Sequence, residues 1–333
     1  MSTGPVVPEA ILQEPADCPT CHAPALAGER YCEACGSPLT TAPDPVRAAA
    51  PAEAATDRRI EIDLGAAAAV SDRGRRRPRN EDAVWVACDG ERSMAVVCDG
   101  VASTHDAHRA SRAASEAAGR RLEELVRMQG WPADPALLMS FRQAFRAAQA
   151  AVCALTDGQG IDAELSPSTT LVAAVSTPGR LFVAGIGDSR AYWLADAPGR
   201  SRLLTVDDSW AEEQISGGID PERAYADPEA HTITRWIGAG AGRVDVEITS
   251  LDVSEPGLLV LCSDGLWNYF EAPERLARHA FGAADRTPIG IARHLVRTAL
   301  RAGGNDNVTV AVLPVAPPGA VSDRSPITEE EQR

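Results

Sequence analysis

Apolar residues along this chain gather in short unbroken runs. "MAVVC" at 94–98, "LFVAGI" at 181–186 and "LLVLC" at 258–262 are hydrophobic at successive positions, without strict alternation. Such a run is buried on both faces, as in a strand covered from both sides. The runs predict strands over Arg59–Leu64, Val84–Cys88, Met94–Cys98, Thr169–Val175, Leu181–Ile186, Ala191–Leu194, Val244–Thr249, Leu258–Cys262 and Val308–Leu313. Helical periodicity appears over Ala107–Met128 and, after the breaker "GWPADP", over Pro135–Leu155. In the second helix Leu138, Phe141, Ala144, Phe145, Ala148 and Val152 form the apolar stripe. Two more helices fit Pro273–Phe281 and Pro288–Ala302, the latter ended by Gly303 and Gly304. Short turns such as "TPGR" and "GDS" join many strands, so the sheets are expected to be mainly antiparallel. Sheets buried on both faces then imply an α+β, four-layer α-β-β-α sandwich.

The flanks read differently. Residues 40–57, "TTAPDPVRAAAPAEAATD", have no apolar periodicity and suit a flexible linker; the tail 316–333 resembles them and is expected to be disordered. The main domain is expected over residues 58–315. Composition narrows its partners. The net charge is −15, and all 32 basic residues are arginine. An acidic chain is a poor binder of nucleic acid or anionic membrane. No apolar run is long enough to span a bilayer, and the first residues lack the pattern of a secretory signal. The expectation is a soluble cytoplasmic protein.

Of the eight cysteines, Cys88, Cys98, Cys153 and Cys262 are scattered among apolar neighbours, as buried thiols are in a reducing compartment. The others are clustered as two C-x-x-C pairs in "CPTCHAPALAGERYCEACGSP". Cys18, Cys21, Cys32 and Cys35 have the spacing of a closed tetrahedral Zn²⁺ site, which is structural and not catalytic. Residues 15–39 thus resemble a zinc ribbon, whose own partner the sequence does not name.

Carboxylates at strand ends carry the chemistry. Asp82 in "RNEDAV", Asp99 in "CDGV", Asp264 in "SDGLW" and Asp306 in "NDNVTV" each sit where a strand begins or ends. If those ends share one edge of a sandwich, the charges repel unless cations lie between them. All-oxygen donors suit Mg²⁺ or Mn²⁺. Gly100 and Gly265 would let backbone come close to an ion, making the Gly100 carbonyl a further candidate ligand.

The ordered set "SDRGRRRPRNEDAV", "CDGV", "STTLVAAV", "GIGDSRAYWL", "LTVDDS", "ITRWIG", "CSDGLWNYF" and "NDNVTVAVL" resembles the metal-dependent type-2C (PPM) Ser/Thr protein phosphatases of bacterial type. The resemblance covers essentially all of residues 58–315. It implies two Mn²⁺ or Mg²⁺ ions about 3.5–4 Å apart, held by Asp82, Asp99, Gly100, Asp264 and Asp306, sharing a hydroxide that attacks phosphorus in line. It implies that Arg77 clamps the phosphate and that Glu81 holds a water. Asp207 is the candidate for a third ion, ahead of Asp208, Asp162 and Glu164, while Asp188 in "GDSR" reads as a turn residue. Substrates would be phosphoserine and phosphothreonine proteins, the products of Ser/Thr kinases.

Two departures stand out. Ala102 and Ser103 replace glycines usual after the first Asp-Gly, and Ser168 replaces the glycine of a Gly-Thr-Thr. Val101 occupies a position where some relatives carry an acid histidine, so water must protonate the leaving oxygen; His105 and His108 read as surface residues at a helix start. The flap "DDSWAEEQISGGIDPERAYADPEAHTITRWIGAG" is acidic and would disfavour acidic phosphopeptides. Two other readings compete: a phosphatase-fold scaffold with little or no activity, and a nucleic-acid-binding zinc ribbon, which the acidity opposes.

Overall fold

The structure is a computed structural model describing residues 58–318, except 90, 129–133, 157–161, 164 and 242–243, together with Pro24 and the strand Arg47–Ala49. The expected zinc ribbon and its four cysteines lie outside the described residues. The chain divides into one unit of residues 1–44 and another of residues 45–333.

In chain order the second unit begins β1 (Arg47–Ala49), β2 (Arg59–Asp63), β3 (Ala68–Asp72), β4 (Asp82–Cys88) and β5 (Ser93–Asp99), then α1 (Ala107–Arg127) and α2 (Asp134–Cys153). Next come β6 (Ser168–Thr169), β7 (Leu171–Thr177), β8 (Arg180–Ile186), β9 (Arg190–Ala195) and β10 (Arg202–Leu203). The flap contributes α3 (Trp210–Ser216), α4 (Pro221–Tyr225) and β11 (Ile237–Gly238). The chain closes through β12 (Ile248–Asp252), β13 (Gly257–Cys262), α5 (Asp264–Trp267), α6 (Pro273–Phe281), α7 (Pro288–Ala302) and β14 (Val308–Val315).

One sheet runs β1-β4-β5-β7-β8-β12 and the other β10-β9-β13-β14-β3-β2, with every described pairing antiparallel. The unbroken apolar runs explain the layering. In β5, Met94, Val96 and Cys98 pack against α1 and α2, while Ala95 and Val97 face the other sheet. In β13, Leu258, Val260 and Cys262 face α6 and α7, while Leu259 and Leu261 join the inter-sheet core. These central strands therefore bury both faces, and the layers are helices, sheet, sheet, helices.

Several details differ from the sequence expectation. The α2 stripe begins at Leu137, which is fully buried, and Leu138 is only partly covered; Leu137 stands four residues before Phe141 and shares its face. Strand β12 starts at Ile248, so "VDVE" before it is loop. Arg47–Ala49, inside the stretch read as a flexible linker, pairs with β4 residues Val86–Cys88. Backbone groups on a free sheet edge need no side-chain pattern to recruit a strand. At the far end, Gly179 donates its N–H to the Ala316 carbonyl at 2.8 Å, so the tail is held at its first residue.

Candidate active site

The fold brings four expected carboxylates to one edge of the sandwich. Asp82 opens β4 and Asp99 closes β5, and the two are direct partners across the antiparallel pair. Asp264 follows β13 and Asp306 precedes β14, which are neighbours in the opposite sheet. A cleft of about 150 Å³ opens between them, lined by Arg77, Glu81, Asp99, Gly100, Asp264 and Asp306 among others. Asp82 lies beneath its floor, 5% exposed.

A hydroxyl relay aims Asp82. Its Oδ2 accepts from Ser263 Oγ at 2.8 Å and Thr309 Oγ1 at 2.7 Å. With Thr309 donating, Ser71 supplies the 2.7 Å bond to the Thr309 oxygen, and Asn80 Nδ2 donates to Ser71 at 2.9 Å. Oδ1 of Asp82 is left buried and without a partner, and so is Oδ1 of Asp264. Burial, with a contribution from neighbouring carboxylates, pushes Asp82 up to about 7 and Asp264 up to about 6. Burial likewise raises Asp99 well above the usual range, and a hydrogen bond from Asp99 opposes the rise at Asp264. Burial raises Glu81 too, although Arg77 and Arg79 pull it back.

Buried, unpartnered carboxylate oxygens in an all-oxygen set fit divalent cations such as Mg²⁺ or Mn²⁺. As they stand, no three carboxylates, imidazoles or thiolates among the described residues close into a finished ligand shell. One reason is that Asp306 is turned to Arg77, which donates from Nε to Oδ1 at 2.7 Å and from Nη2 to Oδ2 at 2.6 Å.

The glycines serve packing between protein segments. A Cβ on Gly265 would lie 1.8 Å from the Asn307 carbonyl oxygen, and one on Gly74 would lie 2.0 Å from that of Asp306. Those approaches seat the Asp306–Asn307 turn. The expected role of Gly265, admitting backbone to an ion, therefore gives way to admitting Asn307. Asn307 is itself a residue that sequence reasoning missed. It is buried, its Oδ1 accepts the Glu81 N–H at 2.8 Å, and its Nδ2 donates to the carbonyls of Arg73 and Arg79. Its signal was only its place beside Asp306.

Asp188, in the bend between β8 and β9 as the turn reading expects, also lines the cleft. Burial, then repulsion from Asp264, pushes it up to about 7. Its carbonyl accepts from Trp267 Nε1 at 2.9 Å, and the Arg190 guanidinium lies 3.8 Å over the Trp267 ring. Asp207 does not reach the cleft. Both its oxygens are held by Arg190, with a shortest contact of 2.7 Å, in a separate cavity with Glu271 and Tyr225. The buried guanidinium captures the carboxylate assigned to a third ion. Asp208 accepts from the Gly187 N–H and from Arg235. The Asp162 carbonyl anchors a turn, accepting from Leu165 and Ser166, and Glu164 lies outside the described residues.

The departures are accommodated. Ala102 and Ser103 are exposed, and neither has a positive φ, so nothing in their backbone demands glycine. Ser168 is buried and its carbonyl accepts the Val101 N–H at 2.9 Å. Facing Ser168 is Gly238, where a Cβ would meet Ser168 Oγ at 2.6 Å, so glycine at 238 leaves room for the serine side chain.

The family profile "Protein phosphatase 2C" matches residues 72–289. The chain belongs to that family. It is 32% identical over 249 residues to the serine/threonine protein phosphatase PstP of Mycobacterium tuberculosis, covering 74% of this chain and 44% of PstP. It thus spans less than half the length of that relative. It is 31% identical over 252 residues to the serine/threonine phosphatase stp of Listeria monocytogenes, covering 73% of this chain and 93% of stp. Among solved structures it superposes on the catalytic domain of PstP in complex with two manganese ions, with a TM-score of 0.58 and 28% identity over 77% of this chain and 99% of that one.

Proposed function

We propose that this chain hydrolyses phosphoserine and phosphothreonine in proteins, using two Mn²⁺ or Mg²⁺ ions held by Asp82, Asp99, the Gly100 carbonyl, Asp264 and Asp306. The observation that carries the reading is the pair of buried, unpartnered oxygens on Asp82 and Asp264 at the edge where the two sheets meet. The two manganese ions of the PstP catalytic domain support the choice of metal. Ions bound there supply Lewis-acid charge and acidify water.

The chain's own residues do the positioning. Arg77 spans two carboxylate oxygens with its planar fork, the same bidentate acceptor geometry that a phosphate presents. It therefore orients the phosphoryl group. Glu81 is fixed through its backbone to Asn307 and Gly100, which aims its carboxylate into the cleft to hold a water. No histidine stands at Val101, so water protonates the departing oxygen. The filled carboxylate positions favour activity over the scaffold reading.

Mostly buried thiols that form no disulfide, at Cys88, Cys98, Cys153 and Cys262, support a reducing, cytoplasmic setting. Among the described residues, no helix is long and apolar enough to cross a membrane. Cys18, Cys21, Cys32 and Cys35 would hold one structural Zn²⁺, with the purified chain binding one equivalent of zinc and a Cys18→Ser/Cys21→Ser variant binding none.

The direct test is hydrolysis of a phosphothreonine peptide by the full chain with Mn²⁺ or with EDTA. Turnover should require the metal and fall by about a hundredfold or more in Asp264→Asn. Metal-independent turnover, or an Asp264→Asn variant as active as the parent, would overturn the reading.

A further inference from the structure

In a chain of net charge −15, the loop "RGRRRPR" places Arg73, Arg75, Arg76, Arg77 and Arg79 within seven residues. Only Arg77 has a role in the cleft. The loop is rigidly held at the cleft's rim, because Asn307, a lining residue, donates from Nδ2 to the Arg73 carbonyl at 2.8 Å and the Arg79 carbonyl at 2.9 Å. Between those anchors the Arg75 N–H donates to Gly304 at 2.8 Å, two residues from Asp306. Arg73 turns to the Pro78 carbonyl, and Arg79 rests on His108 at 3.0 Å. Arg75 and Arg76 are exposed, and among the described residues neither has an acidic partner.

We propose that Arg75 and Arg76 form an anion-recognition rim, selecting phosphoproteins whose phosphoresidue is flanked by further negative charge, from carboxylates or a second phosphate. The proposal rests on the phosphatase reading and names the substrate class of that same cleft. Two guanidinium forks on a pinned backbone meet anionic groups without first ordering the loop. The flap was expected to repel such substrates. Asp208 of the flap is, however, paired with Arg235, while Asp207 and Glu212 lie in the separate cavity, held by Arg190 and by the Tyr225 hydroxyl. Outside the acidic cleft, the loop at its rim presents the exposed positive charge of Arg75 and Arg76.

The experiment uses the Mn²⁺-loaded full chain and four substrates: p-nitrophenyl phosphate, and phosphothreonine peptides flanked by alanine, by aspartate and glutamate, or by a second phosphothreonine. A fifth, arginine-flanked peptide tests the acidic flap. At low salt the acid-flanked peptide should exceed the alanine-flanked one in kcat/KM by about tenfold, as two exposed charge pairs allow. The advantage should shrink at high ionic strength. Arg75→Gln/Arg76→Gln should abolish it through KM while leaving p-nitrophenyl phosphate hydrolysis unchanged. Whether carboxylate or second phosphate gains more identifies the natural anion. Equal rates on acid- and alanine-flanked peptides, or preference for the arginine-flanked one, with p-nitrophenyl phosphate still hydrolysed, overturn the rim alone. Failure to hydrolyse any substrate overturns both readings.

Discussion

Asp82 shows what the site costs the fold at a single residue. Its Oδ2 is satisfied by two hydroxyls, its Oδ1 by nothing, and burial and then the charges of Asp264 and Asp306 disfavour its ionised form. Without cations this arrangement works against folding, since a buried ionised carboxylate without full compensation is destabilising. Asparagine keeps an oxygen for Ser263 and Thr309, and its amide can donate to the neighbouring carboxylates. Asp82→Asn is therefore expected to raise the metal-free stability at pH 8 by about 1–3 kcal/mol while abolishing Mn²⁺-dependent hydrolysis. Thermal melts in EDTA alongside peptide turnover check it, and a variant that melts below the parent would contradict it.

Elements, not single side chains, set where those carboxylates meet. Ser263 and Thr309 exchange backbone and side-chain hydrogen bonds, tying the end of β13 to the start of β14, and Gly265 then lets α5 press onto Asn307. Gly265→Ala must push that turn away, shifting Asp306 and Glu81 together. The expected result is a loss of about 2–3 kcal/mol in stability and a Mn²⁺ requirement for activity raised by about tenfold or more. A denaturant melt and a metal titration measure the two, and an unchanged metal requirement would separate the turn from the site. Such packing is also where reading the sequence stops. The two-faced runs at Met94–Cys98 and Leu258–Cys262 announced the sheets, and the Pro and Gly punctuation of α6 and α7 marked their limits. Strand β3 escaped because "AAVSD" lacks the β-branched density of its neighbours. Helices α3 and α4 escaped because they are short and polar, held by caps from Ser209 and Asp220 instead of a long apolar stripe. Asp82, Asp99, Asp264 and Asp306 were legible as strand-end carboxylates. Asp188 and Asp207 were not, because only tertiary structure shows that Arg190 claims the second and leaves the first in the cleft.

Across the whole molecule, the cluster turns pH and metal into one stability variable. Asp82 and Asp188 are pushed up to about 7 and Asp264 to about 6, from an ordinary value of 3.8, and Asp99 is raised well above it. The metal-free fold therefore binds more protons than the unfolded chain between about pH 4 and pH 8. Stability from these groups is fully present below the unfolded value and is lost as pH rises through 6 and 7. Carboxylates of the opposite kind, such as Glu61, lowered by its bonds to Arg293 and Arg59 against the effect of burial, are surface pairs of small weight. In EDTA the melting temperature should fall by about 5–10 °C between pH 5.5 and pH 8, given about 2–4 °C per kcal/mol for a domain of this size. Cations compete with the same protons, so Mn²⁺ should raise the melting temperature more at pH 8 than at pH 5.5. Scanning fluorimetry at both pH values, with and without Mn²⁺, measures the four melting temperatures. A metal-induced shift that does not grow with pH would mean that the cations bind somewhere other than these carboxylates.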